Sequence, residues 1–170
     1  MRKVGIAALA ALSLGLLTQT ASAEGFYVGA GLGSAETKVN GGFKDQDLGF
    51  KLFGGYSFNQ YVGVEVEYLD GGSAKDEGAK VELDGFGLSV LGSIPVSDAF
   101  SLFARLGYGT WDAKVSAYGE SDKDNDEELF YGLGAAFNLT EQFQVRAEWE
   151  GIDVSGGDFN YFGVAGVFKF

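Results

Sequence analysis

The stretch Phe143-Gln-Val-Arg-Ala-Glu-Trp-Glu150, FQVRAEWE, alternates without a fault. Phe143, Val145, Ala147 and Trp149 share one parity, and Gln144, Arg146, Glu148 and Glu150 share the other. Successive side chains of an extended strand point to opposite faces, so this segment divides an apolar environment from a charged one. The pattern alone leaves open which of the two lies inside.

Working outward, the same period of two recurs beyond Glu24, and no window shows helical periodicity. Eight segments are predicted as strands: 26–34, 48–56, 62–70, 81–94, 100–112, 129–139, 143–152 and 159–170. The breaks alternate in character. Those at 58–60, 95–99 and 140–142 are short, whereas 35–47, 71–80 and 113–128 are long, acidic and rich in Gly, Ser and Asp, with 153–158 a shorter member of that second group. Four hairpins joined in this way predict an all-β fold, an eight-stranded antiparallel up-and-down sheet with enough strands to close into a barrel.

A closed barrel admits two opposite solvents. In a soluble ligand-carrying barrel the apolar parity faces inward, and in a transmembrane barrel it faces lipid. Three features decide for lipid. First, a turn at 140–142 sets Ala136 opposite Arg146, Gly134 opposite Glu148 and Gly132 opposite Glu150, so small residues make room for long charged ones, as a narrow filled interior requires. Second, the other parity stays apolar along every strand and ends in aromatics: Tyr56, Phe100, Phe137, Phe143 and Phe168 toward the short turns, Tyr68, Tyr108, Tyr131 and Trp149 toward the long loops. Third, the last strand stops on an aromatic residue, Phe170.

The other end of the chain agrees. Arg2 and Lys3 precede an apolar run from Val4 to Leu17, and Ala21-Ser22-Ala23 has the small-residue form of a cleavage site. Residues 1–23 are therefore expected to be a cleaved secretory signal peptide, the apolar run being too short to span a bilayer as a helix. Residues 24–170 form one domain, and the absence of Cys after the cut argues against a lipid anchor. Removing Arg2 and Lys3 leaves ten basic residues against 24 acidic ones, a charge of −14, which excludes nucleic acid as a partner. The absence of Cys excludes disulfides and thiolate metal sites.

The signal peptide, the opening FYVGAGLG at 26–33, the stretch LFGGYSFNQYVGVEVEY at 52–68 and the terminal Phe168-Lys-Phe170 together resemble the eight-stranded outer-membrane barrels of the OmpA and OmpX type. The resemblance covers all of 24–170 and leaves no room for the peptidoglycan-binding domain into which OmpA continues. It implies insertion by the outer-membrane assembly machinery, with Phe168 and Phe170 as the C-terminal assembly signal. Where the family often carries Gly five residues before the end, this chain has Ala165 with Gly166 beside it. The implied surroundings are outer-membrane lipids and lipopolysaccharide, and the implied state is a monomer.

The chemistry is defined largely by what is missing. There is no histidine, the side chain on which general-base catalysis near neutral pH usually relies, so an enzyme is not expected. The one inward carboxylate pair, Glu65 with Glu67, is read as neutralised by basic partners, since buried charges need pairing. A turn at 58–60 sets Lys51 opposite Glu67, and one at 95–99 sets Ser89 opposite Arg105, with Arg105, Glu148 and Glu65 at similar heights. These placements predict an internal ion-pair network of Lys51, Glu65, Glu67, Arg105, Arg146 and Glu148; the resemblance implies that such charges plug the lumen and bear on gating. Asp122, Asp124 and Asp126 have calcium-loop spacing, but Glu127 takes the Gly position and Leu133 the bidentate acid position, so a solvated acidic loop is expected. Gly29-Ala-Gly-Leu-Gly33 lacks the following helix of a nucleotide fingerprint. No metal or cofactor is expected. The functions that remain are a structural outer-membrane barrel with at most a small gated pore, and a surface-recognition protein acting through its long loops.

Overall fold

The computed structural model describes the backbone of residues 24–39, 43–76, 79–117, 120–154 and 157–170, and the side chains of 24–36, 48–72, 84–112, 127–153 and 158–170. The proposed signal peptide, residues 1–23, lies outside the described residues. So do the side chains of Asp122, Asp124 and Asp126.

Eight strands run in chain order: β1 (Gly25–Val39), β2 (Phe43–Ser57), β3 (Val62–Asp76), β4 (Ala79–Pro95), β5 (Phe100–Ala117), β6 (Glu120–Asn138), β7 (Phe143–Val154) and β8 (Gly157–Lys169). Each pairs antiparallel with the next, and β8 pairs with β1 to close the barrel. All eight predicted strands are present, but on the long-loop side β1, β2, β3, β5 and β6 continue well past their predicted ends. Lys38 pairs with Lys44 and Lys114 with Lys123, both inside stretches read as loop. Polarity there signals solvent on both faces and says nothing against backbone pairing, which needs no apolar side chains. A tilted transmembrane strand needs roughly 9–11 residues. β5 and β6, with 18 and 19 residues, project far beyond that span.

The three short turns share one geometry. Asn59, Ser97 and Thr140 occupy the same position after the last paired residue, and each side-chain oxygen accepts the backbone N–H three residues on, from Val62 at 2.9 Å, Phe100 at 3.1 Å and Phe143 at 3.0 Å. The N–H of the preceding residue bonds the carbonyl four residues on in all three cases, Phe58 to Val62, Val96 to Phe100 and Leu139 to Phe143. The ladder therefore closes at Ser57↔Gly63, Pro95↔Ser101 and Asn138↔Gln144.

This turn confirms one predicted register and corrects two. Ala136, Gly134 and Gly132 do face Arg146, Glu148 and Glu150. Lys51, however, lies opposite Leu69 rather than Glu67, and Arg105 opposite Leu91 rather than Ser89. The first turn is two residues wider than predicted, and the second keeps five residues but sits one residue later, at 96–100. The slip is two residues in both cases, so every side chain keeps its face.

Outward, Phe26, Leu52, Val66, Phe86, Leu88, Leu106, Leu133, Phe162 and Val164 are all exposed, giving the wall a continuous apolar surface. Aromatic pairs mark both ends of it. Phe26 stacks edge-on against Tyr56 at 4.8 Å and Phe143 against Phe168 at 5.1 Å near the short turns, while Tyr68 meets Phe86 at 4.9 Å and Tyr131 meets Trp149 at 5.7 Å toward the long loops. The bulge between Asp70 and Ser73 breaks the β3–β4 ladder at Gly72, whose φ of 75° is left-handed and whose N–H bonds the Asp70 carboxylate.

The protein's core is its lumen. Trp111, Phe130, Phe159, Tyr161, Ile152, Leu69 and Ala35 form an apolar cluster in its long-loop half. Tyr27, Phe53, Ala165 and Val167, together with Leu91, Phe103 and Ala136, form two more in the short-turn half. The rings fit because glycines lie beneath them. A Cβ on Gly107 would sit 2.3 Å from the Phe130 ring, and one on Gly134 would sit 2.3 Å from that of Phe103.

Candidate functional site

Between these aromatic clusters lies a layer of charge built from four strands. β2 supplies Lys51, β3 supplies Glu65 and Glu67, β5 supplies Arg105, and β7 supplies Arg146, Glu148 and Glu150. All seven point inward by parity, and none is more than 7% exposed.

Arg105 is the hub. Its Nη1 lies 2.5 Å from Glu67 Oε2, 2.6 Å from Glu150 Oε1 and 3.0 Å from Glu65 Oε1, and its Nη2 lies 2.7 Å from Glu148 Oε2. Lys51 Nζ contacts Glu67 at 3.2 Å and Glu148 at 2.8 Å, and also pairs with Glu150. Arg146 reaches Glu65 Oε2 at 2.8 Å, and the Tyr27 hydroxyl donates to the same oxygen at 2.9 Å. In a low-dielectric interior such contacts are strong but must offset a large desolvation cost, which several partners per ion achieve and one partner does not.

Arg146 forms the lower boundary of the layer. Its guanidinium stands over the rings of Tyr27, Phe53 and Phe103 at 4.8, 5.2 and 5.4 Å. Its Nε donates to Gln144 Oε1, Gln144 Nε2 donates to Asn138 Oδ1, and Lys169 donates to that same oxygen. Below this chain a vestibule of about 810 Å³ reaches the short turns, lined among others by Leu91, Phe103, Ala136, Gln144, Arg146 and Lys169.

The structure brings together all six predicted network residues: Lys51, Glu65, Glu67, Arg105, Arg146 and Glu148. Two further members were not predicted. Glu150 shares the parity of Glu148 and bonds both Lys51 and Arg105, so alternation alone could have flagged it. Tyr27 and the ring cage around Arg146 carried no such signal, because the predicted lumen was charged and small-residue, not aromatic. The inward pair Glu65 and Glu67 is met by cations, Arg105 and Arg146 at Glu65 and Lys51 and Arg105 at Glu67. Phe168 and Phe170 sit near the short turns, edge-on to each other at 5.2 Å, and the Phe170 N–H bonds the Phe26 carbonyl.

The sequence matches the outer membrane protein beta-barrel domain family over residues 5–170. Outer membrane protein A of Escherichia coli O157:H7 is 29% identical over 171 residues, covering 88% of this chain. This chain spans 47% of the length of that protein. Among solved structures, Neisserial surface protein A superposes with a TM-score of 0.75 at 16% identity, covering 85% of this chain and 97% of its own. Ail, the attachment invasion locus protein of Yersinia pestis, superposes at 0.69 with 23% identity, covering 86% and 99%; it is also known in complex with the heparin analogue sucrose octasulfate. At these identities the two structures speak for the fold.

Proposed function

The chain belongs to the outer-membrane β-barrel domain family and resides in the Gram-negative outer membrane, and from that premise we propose a non-enzymatic structural barrel, closed in its resting state and conducting at most through a small gated path. The observation that carries this reading is the seven-residue charged layer, buried between aromatic clusters and joined by ion pairs that cross the lumen. Any continuous aqueous path has to pass Arg105. In this reading residues 1–23 are removed on secretion, Phe168 and Phe170 are read by the assembly machinery, and the barrel works as a monomer among lipids and lipopolysaccharide. The missing histidine and the pairing of Glu65 and Glu67 with basic side chains support the non-enzymatic assignment.

Planar-bilayer recording tests the plug. Arg105→Ser removes the hub but leaves four buried carboxylates facing two cations, a change of the kind that costs roughly 3–5 kcal/mol. The double variant Arg105→Ser with Glu148→Gln restores the wild-type charge excess and is the better probe. It should conduct more than wild type, with cation preference, while inserting normally. A folded double variant as silent as wild type would overturn the plug.

A second reading, recognition through the extracellular hairpins, draws on the projection of β5 and β6 beyond the lipid span and on the likeness to Ail. The hairpin carries Glu120, Asp122, Asp124, Asp126, Glu127 and Glu128, so its partner would be cationic, unlike the sulfated polyanion that binds Ail.

A further inference from the structure

The buried layer does not balance its charge. Glu65, Glu67, Glu148 and Glu150 face Lys51, Arg105 and Arg146, four carboxylates against three cations. Among the described residues, the other groups turned toward it from neighbouring strands add no positive charge: Tyr27 from β1, Ser89 from β4, Gly132 from β6 and Tyr161 from β8. An unpaired carboxylate in such an enclosure carries a heavy desolvation cost.

The contacts identify where the excess lies. Both oxygens of Glu65 are engaged, Oε1 by Arg105 and Oε2 by Arg146 and Tyr27. Both oxygens of Glu148 are engaged, Oε1 by Lys51 and Oε2 by Arg105. Glu67 and Glu150 differ. Each uses one oxygen, and both lean on the same two nitrogens, Lys51 Nζ and Arg105 Nη1. One oxygen of each of the four carboxylates is buried without a hydrogen bond among the described residues, but Glu65 Oε1 still lies 3.0 Å from Arg105 and Glu148 Oε1 2.8 Å from Lys51, whereas Glu67 Oε1 and Glu150 Oε2 make no ion pair there either; the Ser89 and Tyr161 hydroxyls also lack a partner. Two carboxylates that share the same cations cannot both be fully compensated.

We propose that the Glu67–Glu150 pair binds one proton, which makes the sealed layer neutral. The proton comes from solvent and forms a single O–H bond on one carboxyl oxygen, with no other bond changed. Among the described residues no acidic group has a metal-holding arrangement, so a proton is the positive charge that fits. The site follows from charge count and burial, and holds whether or not the barrel conducts.

Infrared spectroscopy of the folded protein in detergent micelles at neutral pH reads this directly. A protonated carboxyl has a C=O stretch above the amide band that shifts down in D2O. Wild type should show it, Glu67→Gln and Glu150→Gln should each lose it, and Glu141→Gln, at an exposed turn, should keep it. The wild-type spectrum alone is decisive against the proposal if the band is absent. Appearance of the band only when sodium is replaced by choline would assign the site to a metal cation and overturn the proton. Persistence of the band in either lumen variant would overturn the pair as its location.

Discussion

Val145 and Gln144 are adjacent on β7, yet they belong to different materials. Val145 lies on the wall, paired across the sheet with Phe137 and Gly166, where any apolar side chain of similar size would serve. Gln144 is buried in the lumen between Arg146 and Asn138, and its value lies in the two specific partners it bonds. The wall asks only for low polarity at a given depth. The lumen asks for matched shapes and matched charges, and its glycines, rings and ion pairs constrain one another. Two solvents a strand's thickness apart thus impose two different kinds of selection on alternating residues of one chain.

The largest expected effect comes from moving charge across that divide. Val145→Arg should destabilise the inserted barrel by roughly 2–4 kcal/mol, because an arginine at mid-depth on the lipid face has no partner and no water. Gln144→Arg opens onto the vestibule and should cost far less. Urea titration of protein folded into lipid vesicles measures both; equal losses would mean the faces are assigned backwards.

A second contrast uses small volume and no charge. Gly107→Ala would place its Cβ 2.7 Å from the Leu88 carbonyl oxygen as well as against the Phe130 ring. The ring can move, but the backbone cannot, so a loss of about 1–3 kcal/mol is expected. Gly166→Ala points outward, where a Cβ meets no protein atom within 4 Å. It should change stability by less than about 0.5 kcal/mol. If the two alanines proved equivalent in the same urea titration, the lumen would be looser than its packing indicates.

The last and mildest of the three disruptions lies outside both environments. Asn59→Ala removes the acceptor for the Tyr61 and Val62 N–H groups at a short turn and should cost about 1 kcal/mol, without altering conductance. A larger loss, or a shift in the heat-modified gel mobility that marks the closed barrel, would show that this turn helps set the Lys51 register.

Face was legible in the sequence because it is local. A period of two puts Phe143 and Arg146 on opposite faces whatever the rest of the chain does, and a two-residue slip in register leaves that division intact. For that reason eight strands, the barrel fold and six residues of the charged layer are legible in the sequence alone. Strand ends were less legible, since solvated pairing beyond the membrane, such as Lys114 with Lys123, carries no apolar signature. Only closure decided the partners. Glu150 and Lys51 are 99 residues apart, and Arg146 and Glu65 are 81 apart. They meet because strands tilt and shear around the barrel, setting heights that depend on every turn at once. The same closure stacked Phe130 over Gly107 and caged Arg146 among three rings, contacts that no single strand encodes.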